Sequence, residues 1–517
     1  MLNRAGRPTP LVVILLILVA TSACRLSYLV AAHTVGSGGV QRHHVETTAT
    51  IFAVLGAALA LAIRRAADQP NIAPAGWARV PWLLPAFCGA AVILYWPVLF
   101  IGPLSDDFVL MHRASSWDVS AVSSTLFRPI PLLLWSAVLA SGAGTVGLHA
   151  LNVVLHGVNA WLTVRVIEEW MPSSASAALL GGLLMVTAPL APEAVAWASG
   201  IFDVSAASFV LTSVLVARAY RHGSPRPGTR ALFIVTSALA VLCKESAAVA
   251  PLLTLLWARI DRSAPGRSIL RRDAVLVIVV IAMFGAIRMA VHPEPSLFQV
   301  SKYALQRALF AAFGSLASPF HADVVDLVPW LAVASTVLVI CLWTIFFVTP
   351  ASGRDLATIA RGLTWVLISI AAVWPILVVP ADLQASRYLY LAGVGWALML
   401  VTAASTPARG TIARVPALAL YLVIVIAAVA TRAHLWHWQD AGIERDLAMN
   451  AIVEAHKQRG CPDVSIANPP DAVRGAYVFR NGLAEALAAR GVVLVGSPQR
   501  PECAFSWSTD RGELLQR

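Results

Sequence analysis

The chain has 517 residues, of which 58% are apolar and only 13% are charged, whereas a soluble domain carries about 25% charged residues. Its mean hydropathy is +0.74, and apolar runs recur along most of its length. These values exclude a soluble globular enzyme and predict a polytopic membrane protein. The net charge of +11 is therefore interpreted first as a signal of how the helices are oriented in the membrane. We expect no nucleic-acid partner.

Apolar runs that reach, or nearly reach, the roughly 20 residues needed to cross a bilayer predict the transmembrane helices. The stretch 231–258 would bury Lys244 and Glu245 at the bilayer centre if it were one helix, so we predict two short helices, 231–243 and 246–258. The predicted fold class is an all-α polytopic membrane protein with about thirteen transmembrane helices. The remaining predicted spans are 11–31, 47–63, 82–102, 147–164, 176–192, 199–217, 274–292, 328–348, 362–380, 388–404 and 415–431.

The first apolar run has an alternative interpretation as a signal peptide. Arg4 and Arg7 precede it, and the residues TSA at 21–23 precede Cys24. Because the apolar stretch continues past Arg25, a retained first span is favoured over a cleaved one.

The arginine distribution orients the spans. Arginine clusters at 218–230 and 259–272 flank the two short helices, so the positive-inside rule places both ends of that stretch in the cytoplasm. Most other basic residues in short loops fall on the same side when the N-terminus is cytoplasmic. We therefore expect a bacterial inner or plasma membrane protein whose C-terminal residues are extracytoplasmic.

Composition divides the chain into three predicted parts. Residues 1–80 would hold two extra N-terminal helices, residues 81–431 the main membrane module, and residues 432–517 a small extracytoplasmic α/β domain. Within the last part, VSIA at 464–467 and VVLV at 492–495 predict strands, and GLAEALAAR at 482–490 predicts a helix.

Two cysteines, Cys461 and Cys503, bracket this C-terminal part on the predicted oxidising side of the membrane. Either a disulfide or two buried free thiols would fit that position.

An acidic pair follows the third predicted span in the sequence Ser105-Asp106-Asp107-Phe108. Adjacent carboxylates repel each other, which favours a functional role at this boundary. The alternative is a solvated helix start at which Asp106 is the N-cap.

Three basic side chains, Arg128, Lys244 and Arg387, also lie at predicted outer ends of helices. Arg128 could instead snorkel to the interface, and Lys244 could form an internal ion pair. Together with the acidic pair, these residues would provide a carboxylate base and phosphate-binding charge on one membrane face.

One predicted helix carries His149, Asn152, His156 and Asn159 at spacings of three and four residues, so their side chains share one face. Such a polar stripe should face protein or water rather than lipid. Hydrogen bonding to another helix explains the stripe, and the two histidines are only a weak metal signal.

Six segments in order resemble the GT-C glycosyltransferases: SDDF, FRPIPLLLW, HALNVVLHGVNAWLTV, APLAPEAVAWASGIFDVSA, LCKESAAVAPLL and SRYLYLAGVGW. The resemblance covers about residues 100–400 and is strongest to the membrane part of the transmembrane and tetratricopeptide-repeat O-mannosyltransferases and their bacterial relatives. It implies an inverting transferase that moves a sugar from a polyprenyl-phosphate donor to an extracytoplasmic acceptor. Mannose and a protein hydroxyl are favoured, and an envelope glycan stays open as the acceptor.

The resemblance also implies which residues form the site. Asp106 or Asp107 would be the catalytic carboxylate, although the pair could instead hold a divalent cation such as Mg²⁺ or Mn²⁺. The candidate residues for binding the donor and its phosphate are Arg128, Lys244, Arg387, Glu193, His149 and Tyr388.

Two other functions are consistent with the sequence. A transporter or flippase of lipid-linked intermediates would need charge distributed through the membrane depth, whereas here the charges gather at one interface. A catalytically silent scaffold would explain why Ile201-Phe202 and Ser386 depart from the residues usual at these positions in the family.

Overall fold

The structure is a computed structural model that describes residues 82–120, 127–171, 174–222, 225–257, 265–291, 304–348, 353–405, 415–496, 498, 503–508 and 511–516. The two predicted N-terminal spans, and with them the signal-peptide alternative, lie outside the described residues.

The described chain is mostly helical. Its helices are α1 (Leu83–Tyr95), α2 (Asp107–Ser115), α3 (Pro129–Ala140), α4 (Gly144–Trp170), α5 (Ala175–Val186), α6 (Pro192–Val195), α7 (Ile201–Val216), α8 (Pro227–Cys243), α9 (Ala250–Trp257), α10 (Pro265–Val291), α11 (Ala304–Ala317), α12 (Ala322–Leu327), α13 (Pro329–Val348), α14 (Gly353–Ala371), α15 (Ala392–Ser405), α16 (Val415–Arg459) and α17 (Leu483–Ala488).

Several helices are suited to a bilayer. Among the described residues, five helical segments are long and apolar enough to cross a membrane, and shorter apolar helices pack between them. The chain is therefore a mostly helical, multi-pass membrane protein. The five segments are Leu83–Phe100, Gly144–Trp170, Ala198–Arg221, Pro329–Val348 and Val415–Arg459.

The stretch 231–258, which contains Lys244, is interrupted, as the sequence predicts. Helix α8 ends at Cys243, and Lys244 has the extended backbone angles φ −160° and ψ 135°. A short 3-10 segment, Glu245–Val249, then leads into α9. The interruption keeps a charged side chain out of a continuous apolar helix.

Helix α4 lies at the centre of the membrane part and packs against α1, α5 and α7. At Gly157, an added Cβ atom would lie 2.5 Å from the Cα atom of Cys88 in α1. Only glycine allows the two backbones to come this close. The contact positions α1, the helix that precedes the acidic pair in the chain, against α4.

Helix α16 continues well past the predicted end of the last span. It has 45 residues, which at 1.5 Å per residue is roughly 67 Å, about twice the thickness of a bilayer core. The predicted domain boundary at residue 432 falls inside this helix. The change in composition there marks the end of the apolar part, and no proline interrupts the helix before Arg459.

The C-terminal residues form small sheets against the end of α16. Strand β1 (Ser465–Ala467) pairs in parallel with β4 (Ala504–Ser508), which pairs antiparallel with β5 (Glu513–Gln516). Strands β2 (Ala472–Val473) and β3 (Ala476–Tyr477) form a hairpin.

The predicted cysteine pair, strand and helix of this region have three different outcomes. Cys461 and Cys503 form a disulfide, so the disulfide alternative is the correct one. The segment 492–495 is not a strand, because only Leu494 makes a bridge, to Val464. The predicted helix at 482–490 is the shorter α17.

Candidate active site

The acidic pair lies at the start of α2, with Asp106 in the turn that follows the span Leu83–Phe100 and Asp107 as the first helical residue. Asp107 is fully buried. Its Oδ2 atom accepts a hydrogen bond from the Leu104 amide at 2.9 Å, and its Oδ1 atom accepts from the amide of Ser199 at 2.8 Å and from the Ser199 hydroxyl. Burial raises the pKa of Asp107 to about 7. The side chain therefore ties this turn to the segment that precedes α7.

Asp106 differs from its neighbour in exposure and in contacts. It is only partly buried, and its Oδ1 atom accepts a hydrogen bond of 2.6 Å from the side-chain amide of Asn481. Of the two carboxylates, Asp106 is the one that an acceptor hydroxyl could reach from outside.

The polar stripe of α4 holds the backbone around this pair. The His149 ring nitrogens lie 3.0 Å from the Ala196 carbonyl oxygen and 3.1 Å from the Gly102 carbonyl oxygen. Asn152 donates to the carbonyls of Trp197 and Ala198. The sequence predicts hydrogen bonding to another helix for the stripe, but His149 and Asn152 bond to connecting segments instead. His149 lies with the acidic pair rather than among the cations.

Arg387 and Glu193 form the centre of the cationic part. The Arg387 guanidinium pairs with Glu193 through Nη1, and its backbone amide donates to Glu193 Oε2 at 3.0 Å. Glu193 is 4% exposed and also accepts from the Tyr477 hydroxyl at 2.9 Å. Ser386, one of the departures from the family pattern, points its hydroxyl at the same carboxylate, 3.3 Å away.

Lys244 lies next to this pair. Its ammonium group pairs with Asp203, and Arg387 Nε is 4.0 Å from the other oxygen of the same carboxylate. The Lys244 Nζ atom is also 4.7 Å from the centre of the Tyr388 ring, within the range of a cation–π contact. Asp203 therefore lies between a buried lysine and a partly buried arginine.

Arg128, the residue before α3, is the third of the predicted cations. It contacts Glu245 at 2.7 Å through Nη2, and its guanidinium lies 5.1 Å from the centre of the Phe202 ring. Because Glu245 is the residue after Lys244, Arg128 lies close to Lys244. Lys244 in turn lies next to Arg387, so the three predicted cations are neighbours. Each of them already has a carboxylate partner.

The acidic and cationic parts are connected through Trp197. Its indole nitrogen donates to the Leu104 carbonyl at 3.2 Å, and its ring lies 5.1 Å from the Arg387 guanidinium. A second connection runs through the C-terminal hairpin, because Tyr477 contacts Arg387 and Asn481 contacts Asp106. Four residues span at most about 14 Å, which bounds the distance between the Cα atoms of Tyr477 and Asn481.

Two cavities at this site share one lining residue. The polar cleft, about 370 Å³, is lined by Asp203, Lys244, Arg387, Tyr388 and Tyr390, among others. The apolar cavity, about 740 Å³, is lined mainly by aliphatic and aromatic side chains of α5, α11, α13, α15 and α16. Tyr390 lines both, so a charged group in the cleft would lie beside space for a hydrocarbon chain.

The structure thus brings together Arg128, Lys244, Arg387, Glu193 and Tyr388, and it connects the acidic pair to them. Among the residues that the structure describes, no third carboxylate or imidazole joins Asp106 and Asp107 to form a metal-binding set.

Sequence reasoning missed several contributors. Ser199 and Tyr477 carry no local pattern that distinguishes them, and Asn481 follows an ordinary turn. Asp203 and Glu245 are charged residues near the ends of predicted spans, but their role as partners of the cations depends on which helices are neighbours.

No family model matches the chain. The chain is 35% identical over 146 residues to the protein O-mannosyl-transferase Tmtc1 of Drosophila melanogaster, a match that covers 27% of this chain and 17% of that relative. The resemblance to O-mannosyltransferases that the motifs indicate is thereby confirmed. The chain spans less than a fifth of the length of the relative.

A solved structure is also similar. ArnT from Cupriavidus metallidurans, solved with undecaprenyl phosphate bound, aligns with a TM-score of 0.39 at 14% sequence identity, over 83% of this chain and 93% of that one.

Proposed function

We propose that this protein is an inverting glycosyltransferase that moves a sugar from a polyprenyl-phosphate donor to a hydroxyl group on the extracytoplasmic side of the membrane. The observation that supports it best is the polar cleft beside the apolar cavity, in which Lys244 and Arg387 share Asp203. The donor matches these two cavities, because it is an anionic phosphate attached to a long hydrocarbon chain.

The acceptor hydroxyl needs a base, because its own pKa lies far above 7. In this proposal Asp106 removes the proton as the hydroxyl oxygen attacks the anomeric carbon. The bond from that carbon to the phosphate oxygen breaks at the same time, and the electron pair leaves with the polyprenyl phosphate. One displacement inverts the anomeric centre.

The leaving phosphate gains negative charge as the bond breaks. Lys244 and Arg387 are positioned to stabilise that charge, and both side chains are largely buried. Because each cation is paired with a carboxylate, the donor phosphate must share the remaining N–H donors of Arg387 and the ammonium group of Lys244. Their fixed positions limit the reorganisation needed during the reaction.

Asp107 has a different role. Its two oxygens accept hydrogen bonds from Leu104 and Ser199, so it positions the turn that carries Asp106. We propose mannose as the sugar and a protein hydroxyl as the acceptor, since the Drosophila relative is named as a protein O-mannosyl-transferase. The donor and the bilayer would then be the lipid partners, with the site open to the bacterial periplasm or cell exterior.

The test uses the purified full-length chain in detergent with radiolabelled polyprenyl-phosphate mannose and an extract of host envelope proteins. We expect labelled acceptor and free polyprenyl phosphate from the wild type, and at least a 10³-fold loss with Asp106→Asn, which removes the base. Asp118→Asn is the matched control, because Asp118 is an exposed carboxylate near the same turn. Full activity of Asp106→Asn would contradict the proposal. So would movement of intact donor across liposomes that contain the reconstituted protein, without transfer of the sugar.

A further inference from the structure

A second group of functional side chains lies outside the acidic and cationic parts of the site. His321 precedes α12, Asp323 lies in its first turn, and His437 lies in the part of α16 beyond the apolar residues. We call these three residues the His–Asp–His cluster. His321 and His437 are 3% and 2% exposed, and Asp323 is largely buried.

The distances within this cluster match the spacing of metal ligands. His437 Nε2 lies 3.6 Å from Asp323 Oδ2, and His321 Nδ1 lies 3.9 Å from Asp323 Oδ1. One ligand atom from each residue can be chosen so that all lie within 4.8 Å of one another. Both measured distances are too long for a hydrogen bond, but they are close to the roughly 3.3 Å between two ligands of a tetrahedral ion bound at about 2.0–2.1 Å.

One ring nitrogen in the cluster has no ordinary partner. His437 Nε2 is buried and makes no hydrogen bond. A buried polar atom without a partner costs about 1–3 kcal/mol, and native structures contain few of them. This atom points toward Asp323, and a cation between the two would satisfy it.

The surrounding groups orient the other two residues as metal ligands are usually oriented. His321 Nε2 donates to the Arg474 carbonyl at 3.0 Å, so the lone pair of the neutral ring is on Nδ1, which now accepts from the Asp323 amide. Arg474 Nε lies 3.2 Å from Asp323 Oδ2. Such outer contacts fix the tautomer of a ligating histidine and the direction of a ligating carboxylate.

The neighbouring His434 is not available as a ligand. Its Nε2 atom accepts from the His321 amide at 3.0 Å, and its Nδ1 atom lies 2.9 Å from the Pro189 carbonyl. The cluster therefore offers three protein ligands. It borders a cavity of about 290 Å³, lined also by Glu193 and Trp438, which leaves room for a water molecule as the fourth ligand.

We propose that His321 Nδ1, one carboxylate oxygen of Asp323 and His437 Nε2 bind a divalent transition-metal ion, with zinc as the ion that two imidazoles and one carboxylate best suit. Binding replaces the hydrogen bond from the Asp323 amide to His321 Nδ1, and Arg474 stays next to the Asp323 carboxylate. The ion connects α16 to the residues before α12, and through Arg474 to the β2–β3 hairpin whose Tyr477 reaches Glu193. This site does not depend on the proposed sugar transfer.

The test measures metal on the full-length chain in detergent. The protein is stripped with a chelator, incubated with zinc chloride, desalted and assayed for zinc by mass spectrometry. We expect about one zinc per chain for the wild type and at least about tenfold less for His437→Gln and Asp323→Asn. His112→Gln is the matched control, because His112 is an exposed histidine in α2, and it should retain the wild-type content.

A second measurement uses the wild type, so that the proposal can be tested even if the variants do not fold. The Tm of the wild type should rise when zinc is added to the stripped protein, and cobalt in its place should give the visible absorption of a four-coordinate ion. A wild type that retains no zinc and shows no change in Tm would overturn the proposal. So would a folded His437→Gln variant that retains zinc at the wild-type level.

Discussion

The side-chain amide of Asn481 donates a 2.6 Å hydrogen bond to Asp106. These two residues are 375 positions apart in the chain, so the small C-terminal unit supplies a group to the acidic pair of the membrane part. The backbone supports the same contact, because the Ser105 amide donates to the Val478 carbonyl at 2.8 Å. The C-terminal unit thus contributes to the candidate site.

Replacement of Asn481 should lower turnover without removing the base. We expect Asn481→Ala to reduce kcat by about tenfold, since one hydrogen bond that orients a carboxylate contributes about 1.4 kcal/mol. Initial rates with labelled donor would measure this. Asn450→Ala, at an exposed position of α16, should leave the rate unchanged, and equal rates for both variants would argue against an orienting role.

Loss of Lys244 should affect the chemical step more than donor binding. Lys244→Gln keeps most of the side-chain volume but removes a charge beside the leaving phosphate, and Asp203 keeps Arg387 as its neighbour. We expect kcat to fall about 10²–10³-fold, with a smaller change in KM. Lys457→Gln, an exposed lysine of α16, is the control. A change confined to KM would show that Lys244 acts only in binding.

The buried Asp107 should make stability depend on pH. Burial raises its pKa from the usual 3.8 to about 7, so the folded protein holds a proton that the unfolded chain releases at lower pH. This contribution to stability is complete below pH 4 and is lost as the pH rises through about 7. Tm measured across this range should fall less steeply for Asp107→Asn than for the wild type, and parallel curves would contradict the assignment.

The disulfide should stabilise the C-terminal unit. Cys461 and Cys503 are 42 residues apart, and closing a loop of that length restricts the unfolded chain by about 4 kcal/mol. Reductant should therefore lower the Tm of the wild type and leave that of a Cys461→Ala/Cys503→Ala double variant unchanged. Protease sensitivity after Arg459 would show whether the loss is local. Equal responses of both proteins to reductant would exclude this role.

Features that depend on local pattern were predictable from the sequence. Hydropathy indicated the class of protein, the cost of burying Lys244 and Glu245 indicated where the helix is interrupted, and the spacing of His149, Asn152, His156 and Asn159 indicated a shared polar face. Each of these depends on residues close together in the chain, where helix geometry alone determines which side chains are neighbours.

Only the tertiary structure decided which distant groups meet. It distinguishes Asp106 from Asp107 by burial, gives each cation its carboxylate, and brings Tyr477 and Asn481 to the site. It also places His437 beside residues more than a hundred positions earlier. Such contacts follow from how whole helices pack, and a single sequence carries no periodic signal for them because packing is set by the sum of many weak, non-local interactions.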